Sequence, residues 1–140
     1  MSSLFAIITG VFLVLGLHFE GPLPGDLGVH AGSLSPCESS AHCARADWAV
    51  ADPEAAFASL KGVIAASPRT LIVEQRPGYL HATATSQLFG FVDDLELYAQ
   101  EGTGSLQARS VSRLGDSDLG VNSQRLHALY QALVSPRPAG

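Results

Sequence analysis

Two runs between Phe91 and Arg113 hold three carboxylates and two guanidinium groups. Asp93, Asp94 and Glu96 fall in the run FVDDLELYA, and Arg109 and Arg113 fall in SLQARSVSR. A Gly-containing stretch, EGTG, separates the two runs. If both runs are strands, this turn pairs them and brings opposite charges onto a shared face, each cross-strand pair being worth about 0.2–1 kcal/mol. Arginines oriented by Asp94 and Glu96 are suited to gripping a small anion or an acidic partner, because a guanidinium offers a planar fork of donors. The bland reading is that these are the ordinary ion pairs of a sheet's open face. His81 is expected to lie on that same face.

Other chemistries find less material. Acyl transfer needs a nucleophile beside a base and an orienting acid. Ser110, Ser112, Ser117 and His81 are of suitable types, but no G-x-S-x-G turn surrounds any serine. Gly102, Gly104, Gly115 and Gly120 suit turns and lack the spacing of a phosphate loop. His18, His30, His42, His81 and His127 are scattered, and none pairs with another at metal-ligand spacing. No catalytic residues, resident metal or cofactor are therefore assigned.

Cys37 and Cys43 flank a short polar loop, CESSAHC. A local disulfide is the leading reading for such a pair in an exported protein. Free thiols and a metal site with His42 as third ligand are the alternatives. The metal reading is weakened because structural zinc sites use four ligands at recognisable spacing.

The elements that must position these residues follow from periodicity. Asp52-Pro53-Glu54 reads as a helix start, with a cap, a proline at the first helical position and an acid in the first turn. Phe57, Leu60, Val63 and Ile64 form its apolar stripe, and Ser67-Pro68 ends it. Trp48 and Val50 suggest a short edge strand upstream. Strands are predicted over 70–76, 79–86, 91–99 and 105–113, with Pro77-Gly78 as a turn. Alternation places Leu80, Ala82, Leu95, Leu97, Leu106 and Ala108 toward the core. It places His81, Asp94, Glu96, Arg109 and Arg113 on the opposite, solvated face. Asp93 falls on the core side, where an acid must find donors. We expect it to brace the Asp116–Asn122 loop as a structural rather than a catalytic acid, and Asp118 and Asn122 of that loop are expected to be structural too. A last helix is predicted over 122–134, capped by Asn122 and striped by Leu126, Leu129, Tyr130 and Leu133. The sum is an α+β two-layer sandwich: an antiparallel four- to five-stranded meander with two helices on one face.

An N-terminal hydrophobic helix is expected before this domain. Residues 4–17, LFAIITGVFLVLGL, carry no charge, and with the flanking residues they approach the ~20 residues of a membrane span. An uncleaved anchor, a cleaved signal segment and a buried helix are all open. No Lys or Arg precedes the run and no small-x-small site follows it promptly, which weighs against cleavage. The next stretch, GPLPGDLGVHAGSLSP, reads as a Gly/Pro-rich linker and weighs against the buried helix. The expected organisation is thus residues 1–20 as anchor or signal, 21–36 as linker, 37–134 as the domain and 135–140 as a tail.

The segments FGFVDDLELY, RSVSR and SDLGVN resemble the core of the domain of unknown function 1499 family, and the resemblance extends over roughly residues 27–134. It implies the same element order and no particular reaction. Asp93, Asp94, Arg109, Ser110, Ser112, Arg113, Asp118, Gly120 and Asn122 stand where the family's motifs place them. Members commonly show Cys-Pro-Ser-Ser-Pro-Asn-Cys where this chain has CESSAHC, so both loop prolines are missing here. Val111 replaces a usual Ala, and Ser123 stands where an Arg commonly follows the Asn.

The chain of 140 residues is 46% hydrophobic and 15% charged, with net charge -5, enough for one core-bearing domain plus an appendage. Its Lys and Arg form no basic stripe, which argues against nucleic acid and polybasic lipid contact. The expected role is an accessory or assembly subunit of a membrane complex. It would be held to the membrane through residues 4–19, bind a protein partner, and display its domain in the periplasm or an equivalent lumenal space. The alternative is a small-anion binder or hydrolase-like enzyme using the Arg109/Arg113 face.

Overall fold

A computed structural model of the chain describes residues 19–135. The hydrophobic helix expected at the N-terminus therefore lies, but for its last residues, outside the described residues. No helix among the described residues is long and apolar enough to cross a membrane.

The elements run β1 (Val29–His30), β2 (Ser33–Leu34), β3 (Cys43–Ala49), α1 (Pro53–Ala66), β4 (Thr70–Arg76), β5 (Tyr79–Thr85), β6 (Val92–Gln100), β7 (Ser105–Ser112) and α2 (Val121–Val134). Strands β3 to β7 form a five-stranded antiparallel sheet in the order β3-β7-β6-β5-β4. The meander over β4 to β7 matches the sequence expectation. The first strand is longer than expected, starting at Cys43, and it pairs with β7 rather than with its sequence neighbour. Helix α1 intervenes between β3 and β4, carrying the chain to the far edge of the sheet.

Local chemistry explains the helices. Asp52 caps α1 by accepting the amide of Ala55 at 3.1 Å, with Pro53 behind it. Ala56, Phe57, Leu60 and Ile64 face the sheet. They meet Leu80, Ala82, Leu95, Leu97, Leu106 and Ala108 from alternate strand positions, with Leu126 and Leu129 of α2 closing the core. Each fully buried leucine here contributes about 1.5–3 kcal/mol. Val63, expected in the α1 stripe, is instead partly exposed. Tyr130 is also partly exposed, its ring 5.8 Å from that of Trp48. At the Pro77-Gly78 turn, Gly78 takes φ +74, a left-handed conformation that favours glycine.

Two expectations are corrected together. The stretch expected as a linker is part of the domain, and the sheet face expected to be open is covered. An arm that runs through Asp26, Gly28 and Leu34 toward Cys37 lies across the side of the sheet away from the helices, held to Glu96, Gln100, Gln107 and Arg109, and folds there into the β1–β2 hairpin. Leu34 is buried in the process, and so are His81, Asp94, Glu96, Gln107 and Arg109. Alternation assigns residues to a face correctly. What occupies that face depends on a contact distant in sequence.

Candidate functional site

The covered face is a buried polar layer. Glu96 and Asp94 are both fully buried, and each sits on β6 opposite a residue of β7 that bears on its pairing: Glu96 opposite Arg109, Asp94 opposite Val111, two residues before Arg113. The Glu96 carboxylate accepts the Tyr79 hydroxyl at 2.9 Å and the Gly28 amide at 2.6 Å, and pairs with Nη1 of Arg109 at 3.3 Å. Nη2 of Arg109 reaches Asp26 of the arm at 2.7 Å. One guanidinium therefore clamps the arm to the sheet through two carboxylates. Further along, Gln107 accepts the Leu34 amide at 2.9 Å, and Gln100 donates to the Gly32 carbonyl at 2.9 Å. Burial first, then the Glu96 carboxylate, hold the Tyr79 phenol well above its ordinary range.

Asp94 anchors the other half. Arg113 grips it with two bonds, Nε to Oδ2 at 2.8 Å and Nη2 to Oδ1 at 2.9 Å. Nε2 of His81 lies 2.7 Å from Oδ1. Burial alone would raise the Asp94 pKa, but the hydrogen bonds from Arg113 and His81 outweigh it and hold the carboxyl below its usual value. Since the folded carboxyl ionises at lower pH than the unfolded one, its pairing stabilises fully above about pH 3.9. That contribution is lost as pH falls through the folded value. Asp94→Asn should thus cost about 2 kcal/mol at neutral pH. Its deficit relative to wild type should shrink as the solution is acidified below pH ~4, read from urea midpoints across a pH series.

On the helix side of the sheet a second network surrounds Asn122. The sequence pattern predicts Asn122 as the α2 cap, but the cap position is Gly120, and Asn122 lies one residue inside the helix, fully buried. Its Nδ2 lies 2.7 Å from Asp118 Oδ2, 2.8 Å from Ser112 Oγ and 3.2 Å from the His42 carbonyl. Its Oδ1 accepts Ser110 at 2.7 Å and Arg125 at 2.9 Å. Asp118 also accepts the Gly120 amide at 2.7 Å, so it, rather than Asn122, serves the helix start. Burial would raise the Asp118 carboxyl; bonds from Asn122 and from the backbone amides hold it below the usual value. Asp93 faces the helices as alternation predicts. Its partner is Arg125 of α2 at 2.9 Å, rather than the Asp116–Asn122 loop.

The predicted site residues therefore separate into two groups. His81, Asp94 and Arg113 meet, as do Glu96 and Arg109, all under the arm; Asp93, Asp118 and Asn122 belong to the helix side. Sequence reasoning passed over Arg125, although its spacing of three from Asn122 puts both on one helix face. Alternation puts Tyr79 and Gln107 on the same face as His81 and Arg109 without marking them as site residues, whereas Asp26 sits in a loop with no periodicity to mark it.

Cys37 and Cys43 form a disulfide with Cα atoms 5.6 Å apart. It ties the end of the arm to the first residue of β3 and is consistent with an oxidising compartment outside the cytoplasm. Beside it opens a cleft of 360 Å³ whose lining includes Asp26, Glu38, His42, Arg109 and Arg113. A larger hollow of 640 Å³, at the other end of the sheet, is lined by residues including Glu54, Phe57, Tyr98 and Glu101. No group of three or more His, Cys, Asp or Glu among the described residues is arranged to hold a metal ion.

No curated protein and no solved structure matches this chain. A family model described as "Protein of unknown function (DUF1499)" matches residues 33–133, a span that holds the whole five-stranded sheet, α1, all of α2 but its last residue, and both polar networks except Asp26 and Gly28. The chain belongs to the DUF1499 family.

Proposed function

We propose that this protein is a membrane-tethered module that docks a protein partner in an oxidising, extracytoplasmic compartment, as an accessory or assembly subunit of a membrane complex. The observation that carries the reading is how the arm is fastened. Asp26 is held by Arg109, the Gly28 amide by Glu96, and Cys37 by Cys43. The fastened arm therefore begins nine residues after the uncharged run 4–17, and Phe19, two residues after it, already packs on Phe91. The run's composition supports a tether, and the disulfide supports the compartment.

Strand β4 supports the partner. It is an outer strand of the sheet, and Leu71 and Val73 on it are more than half exposed. An edge strand with exposed apolar residues is a natural template for another chain. The test is gentle detergent extraction from native membranes, followed by intact mass and size analysis. The expected result is a chain that keeps residues 1–18, resists alkaline extraction and travels with a second protein. A cleaved or readily washed-off chain would remove the tether. A strictly monomeric species would remove the partner, as would unchanged co-purification after Leu71→Arg.

A second reading is a small anionic ligand in the cleft beside Arg109 and Arg113, favoured by the lining of that cleft. It is the weaker one because both guanidinium groups are already met by carboxylates. Calorimetric titration with acetate and inorganic phosphate tests it, and no saturable heat would end it.

A further inference from the structure

One end of the domain carries an exposed apolar cluster, beside the charges of Glu20 and Asp116, and the other is polar. At the first end, the loop between β5 and β6 reads SQLFGF and carries no charge. Leu88 is 82% exposed at its tip, Phe89 56% and Phe91 42%. The Phe89 and Phe91 rings lie 5.6 Å apart, and Phe91 lies 5.7 Å from the ring of Phe19, itself 56% exposed. Phe19 follows directly on the apolar run and His18. The β7–α2 loop leaves the sheet at this same end, since Ser112 pairs with Asp93 at the start of β6. It contributes Leu114, packed beside Gly21, and Leu119, 88% exposed. At the opposite end the turns are Pro77-Gly78 and Glu101-Gly102-Thr103-Gly104, beside Glu54 and without a large apolar side chain.

We infer that Leu88, Phe89, Phe91 and Phe19 form a foot that enters the interfacial layer of a lipid bilayer, so that the domain stands on the membrane with its Glu101 end outward. The inference rests on the tether proposed above and adds an orientation to it. Three observations select a bilayer as the occupant. The exposed rings cluster at the place where the uncharged run 4–17 reaches the domain. Phe19 is packed on Phe91 and Gly21 lies beside Leu114, so a membrane held by the preceding run is brought against this end. The foot is three phenylalanines and a leucine, side chains that bury into the boundary between headgroups and acyl chains, and an exposed apolar cluster of this kind marks a site of interaction. It lacks a basic cluster, so the surface it fits is a neutral headgroup layer rather than an anionic one.

The test uses the full chain carrying Phe89→Trp, reconstituted in phosphatidylcholine vesicles. Trp48 is on the helix side of the sheet beside Tyr130, and the wild type measures its signal alone. The added emission should be blue-shifted, largely quenched by lipids brominated just below the headgroup, less by lipids brominated near the bilayer centre, and shielded from aqueous iodide. Leu88→Trp repeats the measurement at a more exposed position should the first variant fold poorly. Quenching by iodide without quenching by brominated lipid would overturn the foot. Blue-shifted emission that no lipid quenches would overturn it too, because protein would then cover the patch. Flotation separates the two proposals: a chain that floats with vesicles while position 89 stays in water keeps its tether and loses its foot. A chain that does not float loses the tether, and with it the basis for the foot.

Discussion

Replacing Arg109 with methionine should lower stability by about 3–5 kcal/mol, the range for removing one partner of a buried ion pair. Glu96 is fully buried and would lose the guanidinium that faces it across β6 and β7, and Asp26 would lose its hold on the sheet. The bonds from Tyr79 and Gly28 to Glu96 remain, but neither brings a positive charge. Adding Glu96→Gln should recover part of the loss, since the stranded charge goes with it. Urea unfolding of the two single variants and the double variant measures this coupling. The arm should also loosen, and limited proteolysis should cut within residues 21–36 faster in Arg109→Met than in wild type. An arm that stays protected in a fully folded Arg109→Met would show that the clamp is not what fastens it.

Asn122→Ala should cost about 3 kcal/mol, because each buried polar group stranded without a partner costs ~1–3 kcal/mol. Ser110 is fully buried and donates to Asn122, while Ser112, Asp118 and the His42 carbonyl meet its amide. Asn122→Asp should be worse. It keeps the acceptor for Ser110 and Arg125 but loses the donors and sets a second carboxylate beside Asp118. Both effects should appear as lower denaturation midpoints with an unchanged dependence on denaturant, the mark of a change in stability rather than in the extent of unfolding. An Asn122→Ala variant as stable as wild type would mean that the residues around Asn122 find other partners.

Several elements were plain from residue order. Asp52-Pro53-Glu54 specifies the start of α1 through local bonds alone, and the structure has the cap. The alternation of β5, β6 and β7 divides Leu95 and Leu97 from Asp94 and Glu96, and the division holds. Asp93 on the helix side follows from the same period. Asn122 is harder to read: an Asn before an apolar stripe is the usual sign of a cap, but this one is buried inside the first turn as the centre of a network. Its role comes from Ser110, Ser112, Asp118, Arg125 and the His42 carbonyl, and residue 42 is far away in sequence.

The two-layer architecture, the faces of the residues on β5, β6 and β7 and the family are legible in residue order, because they depend on period and local motif, and the same order makes a disulfide the leading reading of the two cysteines. What the charged face is for depends on the folded chain. Exposed ion pairs and buried ones have the same spacing along a strand. The difference here is an arm whose Gly and Pro content reads as a linker, and whose Asp26, Gly28 and Leu34 dock on residues some seventy to eighty positions away. Contacts of that separation leave no periodic mark, since each depends on chain closure rather than on a neighbour's side chain. The charges between Asp93 and Arg113 that first suggest a binding surface are therefore spent inside the domain: Glu96 and Arg109 hold the arm, Asp94 pairs with Arg113 and His81, and Asp93 pairs with Arg125.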